Sequence, residues 1–153
     1  MSSFVRISDA ASLALHAMAL LASGRAARAT AKELARELGG SEAHLSKVLQ
    51  RLEKAGLVRS RRGPSGGFEL AANASDVTLK EVFESIEGPL RETTCLLPRR
   101  ICGGACMLGE LLRKVDSSIG ERLAGTSLAD LRGFAAGPGA RVRRPARAAG
   151  RET

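Results

Sequence analysis

The stretch from Thr30 to Ala71 constrains this chain more than any other. It sets a capped helix, a glycine turn, a second capped helix and a basic glycine-rich hairpin in direct succession. Thr30-Ala-Lys-Glu33 is a capping box, in which hydroxyl and carboxylate satisfy each other's orphan amide donors. The helix it opens turns Leu34, Ala35 and Leu38 inward. Gly39 and Gly40 stop it, because glycine accepts the positive φ that ends a helix. Ser41 caps the next helix, over 42–55, where Leu45, Val48, Leu49 and Leu52 fall at i, i+3, i+4 and i+7. Gly56 ends that helix. Two short strands, Leu57–Ser60 and Phe68–Ala71, are predicted around the turn Arg61-Arg-Gly-Pro-Ser-Gly-Gly67.

This order is that of a winged helix–turn–helix, whose second helix enters the major groove of duplex DNA. The flanking elements fit around it. A dense apolar helix spans 9–23. A second capping box, Thr78-Leu-Lys-Glu81, opens a helix to about Ile86. Residues 88–104, rich in glycine and proline, read as an irregular loop. A long helix is predicted over 105–123, with Leu108, Leu111, Leu112, Val115, Ile119 and Leu123 marking one face suited to another helix, from a second subunit. Thr126 or Ser127 caps a last short helix to Phe134. The expected fold is mainly α, with a two-stranded β wing and a long C-terminal dimerisation helix. It divides into a DNA-binding region 1–76, a cysteine-loop and dimerisation region 77–134, and a disordered basic tail 135–153.

Charge distribution supports a polyanionic partner. The net charge is +8, and residues 25–71 carry ten basic against five acidic side chains, whereas residues 72–134 carry eight against nine. Aromatic residues make up 3%, too few for the stacking platforms of single-strand binding. No apolar run reaches the ~18 residues of a membrane span and no signal peptide is evident, so the expected compartment is the cytoplasm, with no membrane partner. No nucleophile elbow, P-loop, dinucleotide fingerprint or zinc-protease motif occurs, so no enzyme is expected.

Two constellations carry candidate chemistry. At the start of helix 42–55, Ser41 and the free amides suit a phosphate. His44, Ser46, Lys47 and Arg51 lie within reach of base edges or phosphates. Arg61 and Arg62, with Ser65 in the same turn, form a hairpin tip suited to the minor groove. The second constellation is Cys95-x6-Cys102-x3-Cys106, three thiols in a glycine-containing loop leading into a helix. Thiolates suit zinc or an iron–sulfur cluster, and Arg99, Arg100 and the following helix N-terminus favour them over thiols. The spacing lacks the paired Cys-x2-Cys of a zinc finger. Ordinary half-buried cysteines and a metal-free thiol–disulfide switch stand beside the metal reading. His16, on an apolar helix, reads first as a packed residue.

These residues resemble the Rrf-two family of winged-helix transcriptional regulators, also called the IscR/NsrR family, over about residues 4–134. The hairpin Arg62-Gly-Pro-Ser-Gly-Gly-Phe68-Glu-Leu70 matches the family's wing. Leu45-Ser-Lys-Val-Leu-Gln-Arg-Leu-Glu-Lys-Ala-Gly-Leu-Val58 matches its recognition helix and first wing strand. The resemblance implies a homodimer joined through helix 105–123, acting on partly palindromic operators by repression. It further implies that Arg62 is the minor-groove arginine and that Ser41, Ser46 and Lys47 read the operator. Cys95, Cys102 and Cys106 would ligate a two-iron or four-iron cluster that senses redox state, nitric oxide or iron and cluster supply. The fourth ligand departs from the family pattern. The position of the carboxylate on the first helix is Ser12, His16 lies one turn further, and the histidine expected after the last cysteine is replaced by Gly109, with Glu110 beside it. His16 is the expected fourth ligand, and Ser12 and Glu110 are the alternatives. A cluster-free thiol regulator and an iron–sulfur interaction protein without an operator are the competing functions.

Overall fold

The computed structural model describes residues 7–24, 28–64, 66–91 and 106–131. Ser65, Cys95 and Cys102, the loop that holds those two cysteines, Phe134 and the basic tail lie outside the described residues. The elements run α1 (Asp9–Ala22), α2 (Ala31–Leu38), α3 (Glu42–Lys54), β1 (Val58–Arg61), β2 (Gly67–Leu70), α4 (Leu79–Glu87), α5 (Met107–Ala124) and a closing 3-10 helix, Leu128–Leu131. This is the mainly helical winged-helix architecture expected from the sequence.

α1 is the central helix, packed against α2, α3, α4 and the closing 3-10 helix. Its small residues Ala11, Ala14, Ala17 and Ala19 are buried and let its neighbours approach closely. From α3, Leu45, Leu49 and Leu52 fill the space beside Met18, all fully buried. Each such leucine contributes about 1.5–3 kcal/mol over an exposed one. Both capping boxes form. Around α2, the Thr30 amide donates to the Glu33 carboxylate at 2.7 Å and the Glu33 amide to Thr30 Oγ1 at 3.2 Å. α2 ends on left-handed Gly39, and the Gly40 amide reaches back to the Ala35 carbonyl at 2.9 Å, closing the turn before α3.

The wing is an antiparallel pair, with Val58 opposite Leu70 and Arg61 opposite Gly67. Both strands lie one residue nearer the turn than predicted, β1 as Val58–Arg61 and β2 as Gly67–Leu70, with the same cross-strand pairing, and the Ala71 amide still donates to the Leu57 carbonyl at 3.0 Å. A third segment that sequence patterning did not reveal joins the pair. Ala29 bridges to Phe68, with amide–carbonyl bonds of 3.1 and 2.8 Å, so β2 is held on both sides. Gly67 has φ +136°, and a Cβ there would lie 2.9 Å from the Ala29 carbonyl. Glycine is what permits this close pass.

α5 stands apart in its burial. Only Gly109 and Leu112 are buried along its 18 residues, while Met107, Leu108 and Leu111 are 85%, 58% and 55% exposed. The single apolar face expected for this helix is therefore divided: Leu112 turns inward, Leu108 and Leu111 outward. Its C-terminal end is anchored. The Leu128 amide donates to the Val77 carbonyl and the Ala129 amide to Ala74, both at 2.9 Å, and Leu128 is fully buried. Among the described residues no helix is long and apolar enough to cross a membrane.

Candidate nucleic-acid interface

α3 buries one face and exposes the other. Ser41 Oγ accepts the His44 amide at 3.4 Å and sets the helix start. Ser41, His44 and Lys47 are exposed and Ser46 is half-buried, all within the first two turns. This end of α3 carries free amides and the positive end of the helix dipole. Arg51, which the sequence placed with these residues, behaves differently: its guanidinium donates to the Ile86 carbonyl at the end of α4. It joins α3 to the end of α4.

The wing is braced to α3 and to the segment before α2. The Ser60 amide donates to the Glu53 carboxylate at 2.9 Å, and the Ser60 hydroxyl adds a second bond. Those bonds hold the Glu53 carboxyl below its usual range. On the opposite face of the hairpin, Glu69 takes three arginines: Arg28 at 2.8 Å, Arg61 at 3.3 Å and Arg59 at 4.0 Å. Desolvation pushes the Glu69 carboxyl up, but the charges of Arg61 and Arg28 and their hydrogen bonds outweigh it and hold it down. Sequence reading missed Glu69, Arg28 and Arg59. The signal lies in the pairing, because Arg59 is directly across from Glu69 and the Ala29–Phe68 bridge brings Arg28 to its other side. Arg62, the next residue after β1, is exposed and has no ion-pair partner among the described residues.

The candidate sensing residues occupy two helices. Cys106 is the N-cap of α5, and its Sγ accepts the Gly109 amide at 3.3 Å. A sulfur so placed favours the thiolate. Glu110, in the first turn of α5, is ion-paired to Lys114 at 2.8 Å, and that bond and charge lower its carboxyl. On α1, His16 Nδ1 lies 2.7 Å from the Ser12 carbonyl. A carbonyl only accepts, so Nδ1 is the donor in this contact. Cys106 and His16 are residue types that can ligate a metal, and among the described residues no group of three or more His, Cys, Asp or Glu is placed to hold one. Ser12 uses its carbonyl in this bond.

Comparison with known proteins follows the same lines. The Rrf2 family profile, described as an iron-dependent transcriptional regulator, matches residues 7–133. The chain is 30% identical over 128 residues to an HTH-type transcriptional regulator of Aquifex aeolicus, covering 81% of this chain and 89% of that protein. It is 33% identical over 100 residues to the HTH-type transcriptional regulator IscR of Vibrio atlanticus, and that match covers 65% of this chain and 58% of the relative's length. Among solved structures it resembles CymR, the global cysteine regulator of B. subtilis, with a TM-score of 0.72 and 26% identity over 86% of this chain and 98% of that one. It also resembles T. potens IscR, with a TM-score of 0.67 and 29% identity over 84% and 86%. A continuous family match across the capped helices, the braced wing and α5 leaves one conclusion: the chain belongs to the Rrf2 family of transcriptional regulators.

Proposed function

We propose that the chain is a homodimeric, operator-binding repressor that lays α3 in the major groove and Arg62 in the adjacent minor groove. The observation that carries this reading is Arg62, exposed just beyond a wing whose other arginines are drawn to Glu69. An exposed guanidinium with no carboxylate partner among the described residues suits the negative potential of a narrow minor groove. Ser41 and the first amides of α3 would take a phosphate, and His44, Ser46 and Lys47 would face base edges. Ser65 completes the contact set, whereas Arg51 and Arg61, also read from the sequence, bond Ile86 and Glu69 and are left out of the duplex contacts.

Met107, Leu108 and Leu111 would pair with the same face of a second copy, because three large apolar side chains in water gain by association. Pairing through α5 sets the separation of the two α3 helices, and half-sites about one helical turn apart accept one separation. The regions 1–76, 77–134 and 135–153 would then read DNA, sense and dimerise, and add generic DNA affinity in the cytoplasm.

Cys95, Cys102, Cys106 and His16 would hold an iron–sulfur cluster, with Ser12 or Glu110 as alternative fourth ligands. When bound, the cluster supplies a centre reactive to redox change and nitric oxide. Cys106 caps α5, so a change at its sulfur alters the first turn of the helix that spaces the reading heads. The same position favours a second reading, in which Cys106 is a thiolate that responds to oxidation without metal. Anaerobic purification with iron and sulfide counts separates the two. A brown protein whose visible absorbance is lost in Cys102→Ser supports the cluster. A colourless protein with no measurable iron or sulfide, whose DNA affinity follows oxidant, supports the thiol switch.

A further inference from the structure

Glu69 sits on the middle strand of the wing region, between β1 and the Ala29 bridge. Its carboxylate lies 2.8 Å from Arg28, 3.3 Å from Arg61 and 4.0 Å from Arg59, and its own side chain is only 16% exposed. Arg59 and Arg61 are by contrast 64% and 60% exposed. Both arginine side chains are thus mostly in water while their Nε atoms lie beside one inner carboxylate. The arrangement joins three separate chain segments: the lead into α2, β1 and β2. An ion pair of this kind at a surface contributes little to stability. Its larger consequence is where it directs positive charge.

Resting on the DNA-binding reading above, we propose that Glu69 is a specificity-determining positioning residue, which withholds Arg28, Arg59 and Arg61 from indiscriminate phosphate contact and leaves Arg62 to enter the duplex. Any arginine that reaches a phosphate strengthens binding to all sequences alike, because the gain comes from released counterions. Positioning by phosphate contact carries no sequence information. A wing with four unrestrained arginines would grip random DNA and narrow the margin between operator and background. Glu69 neutralises the generic part of that charge and keeps the hairpin rigid, so the groove-reading arginine is presented from a fixed base.

The test is the salt dependence of binding by the full chain to a random-sequence duplex of about three helical turns, measured by fluorescence anisotropy. Glu69→Gln is expected to steepen the slope of log K against log salt by about 0.9 for each arginine that reaches a phosphate, and to raise random-duplex affinity at 0.1 M salt by up to about eightfold per arginine. Arg61→Gln in the otherwise unchanged chain is expected to leave the slope as it is. In the Glu69→Gln background the same substitution is expected to take back about 0.9. An effect of Glu69→Gln that Arg61→Gln and Arg59→Gln do not reverse is a mere change of net charge and overturns the inference. A loss of slope in Arg61→Gln alone also overturns it, since Arg61 would then contact phosphate already, and this arm holds even where Glu69→Gln misfolds. A chain that binds no duplex at low salt defeats the DNA-binding reading itself, whereas binding with unchanged slopes in every variant defeats only the role of Glu69.

Discussion

α1 and α5 are the two longest helices among the described residues, yet they meet water in opposite ways. α1 buries seven of its fourteen residues among its neighbours, including Met18 at 0% exposure. α5 is longer, at 18 residues, buries two, and leaves Met107, Leu108 and Leu111 in solvent. The difference shows where the chain completes its own core and where it stops short. Around α1 the apolar surface is satisfied within one chain. Along α5, among the described residues, the Leu112 side and the C-terminal anchor at Leu128 are covered, and the exposed face is the one that the proposed pairing with a second copy would bury.

Substitutions on the two helices' sides of the molecule should therefore differ in kind. Leu49→Ala, in the core beside α1, is expected to lower unfolding free energy by about 2–5 kcal/mol in urea titrations. Leu111→Ala is expected to change the monomer's stability by no more than about 0.5 kcal/mol. Equal losses at the two positions would erase the contrast. Leu111→Glu sharpens it: sedimentation should show the dimer dissociating at least about tenfold more readily, a change of about 1.4 kcal/mol or more. A dimer of unchanged strength would place the seam elsewhere.

The wing offers a parallel contrast between Arg61 and Arg62. Arg62→Ala should weaken operator binding by about 1–3 kcal/mol. Arg61→Ala should cost distinctly less, because its guanidinium is engaged with Glu69 at 3.3 Å. Competition titrations on one operator fragment measure both, and a reversed order would contradict the assignment of the wing tip.

The smallest effect concerns the capping boxes. Hydrogen bonds from the Thr30 backbone and then its hydroxyl lower the Glu33 carboxyl from 4.5, and Thr78 does the same for Glu81. A depressed carboxyl contributes stability that is present above the unfolded-state value and lost as pH falls through the folded-state value. Stability should thus decline below about pH 4.5. Glu33→Gln should flatten that decline and leave the slope near neutrality unchanged, as read by urea midpoints across pH. An equally steep acid decline in Glu33→Gln would remove this box from the account.

Much of the helical framework was legible because its signals are local. Thr30 with Glu33, Thr78 with Glu81, the Gly39 stop and the Leu45–Leu52 stripe each fix an element within a few residues. What escaped depends on contacts between distant segments. The Ala29–Phe68 bridge adds a third segment beside the hairpin, and Arg51 bonds a carbonyl 35 positions away. Glu69 collects an arginine 41 positions earlier, which no periodicity reveals. On α5 the spacing of Leu108, Leu111 and Leu112 gave an apolar helix, but which leucines face inward is set by α4 and by the Leu128 anchor. Of the candidate sensing residues the sequence located Cys106, and the structure adds its role as the N-cap of α5.

The most direct test is a selection from sheared genomic DNA of the organism that encodes the chain, using anaerobically purified protein and sequencing the bound fragments. The account predicts strong enrichment of a few sites with two-fold related half-sites about one helical turn apart, lost in Arg62→Ala. Even recovery of all fragments, or enrichment that Arg62→Ala leaves intact, would contradict it.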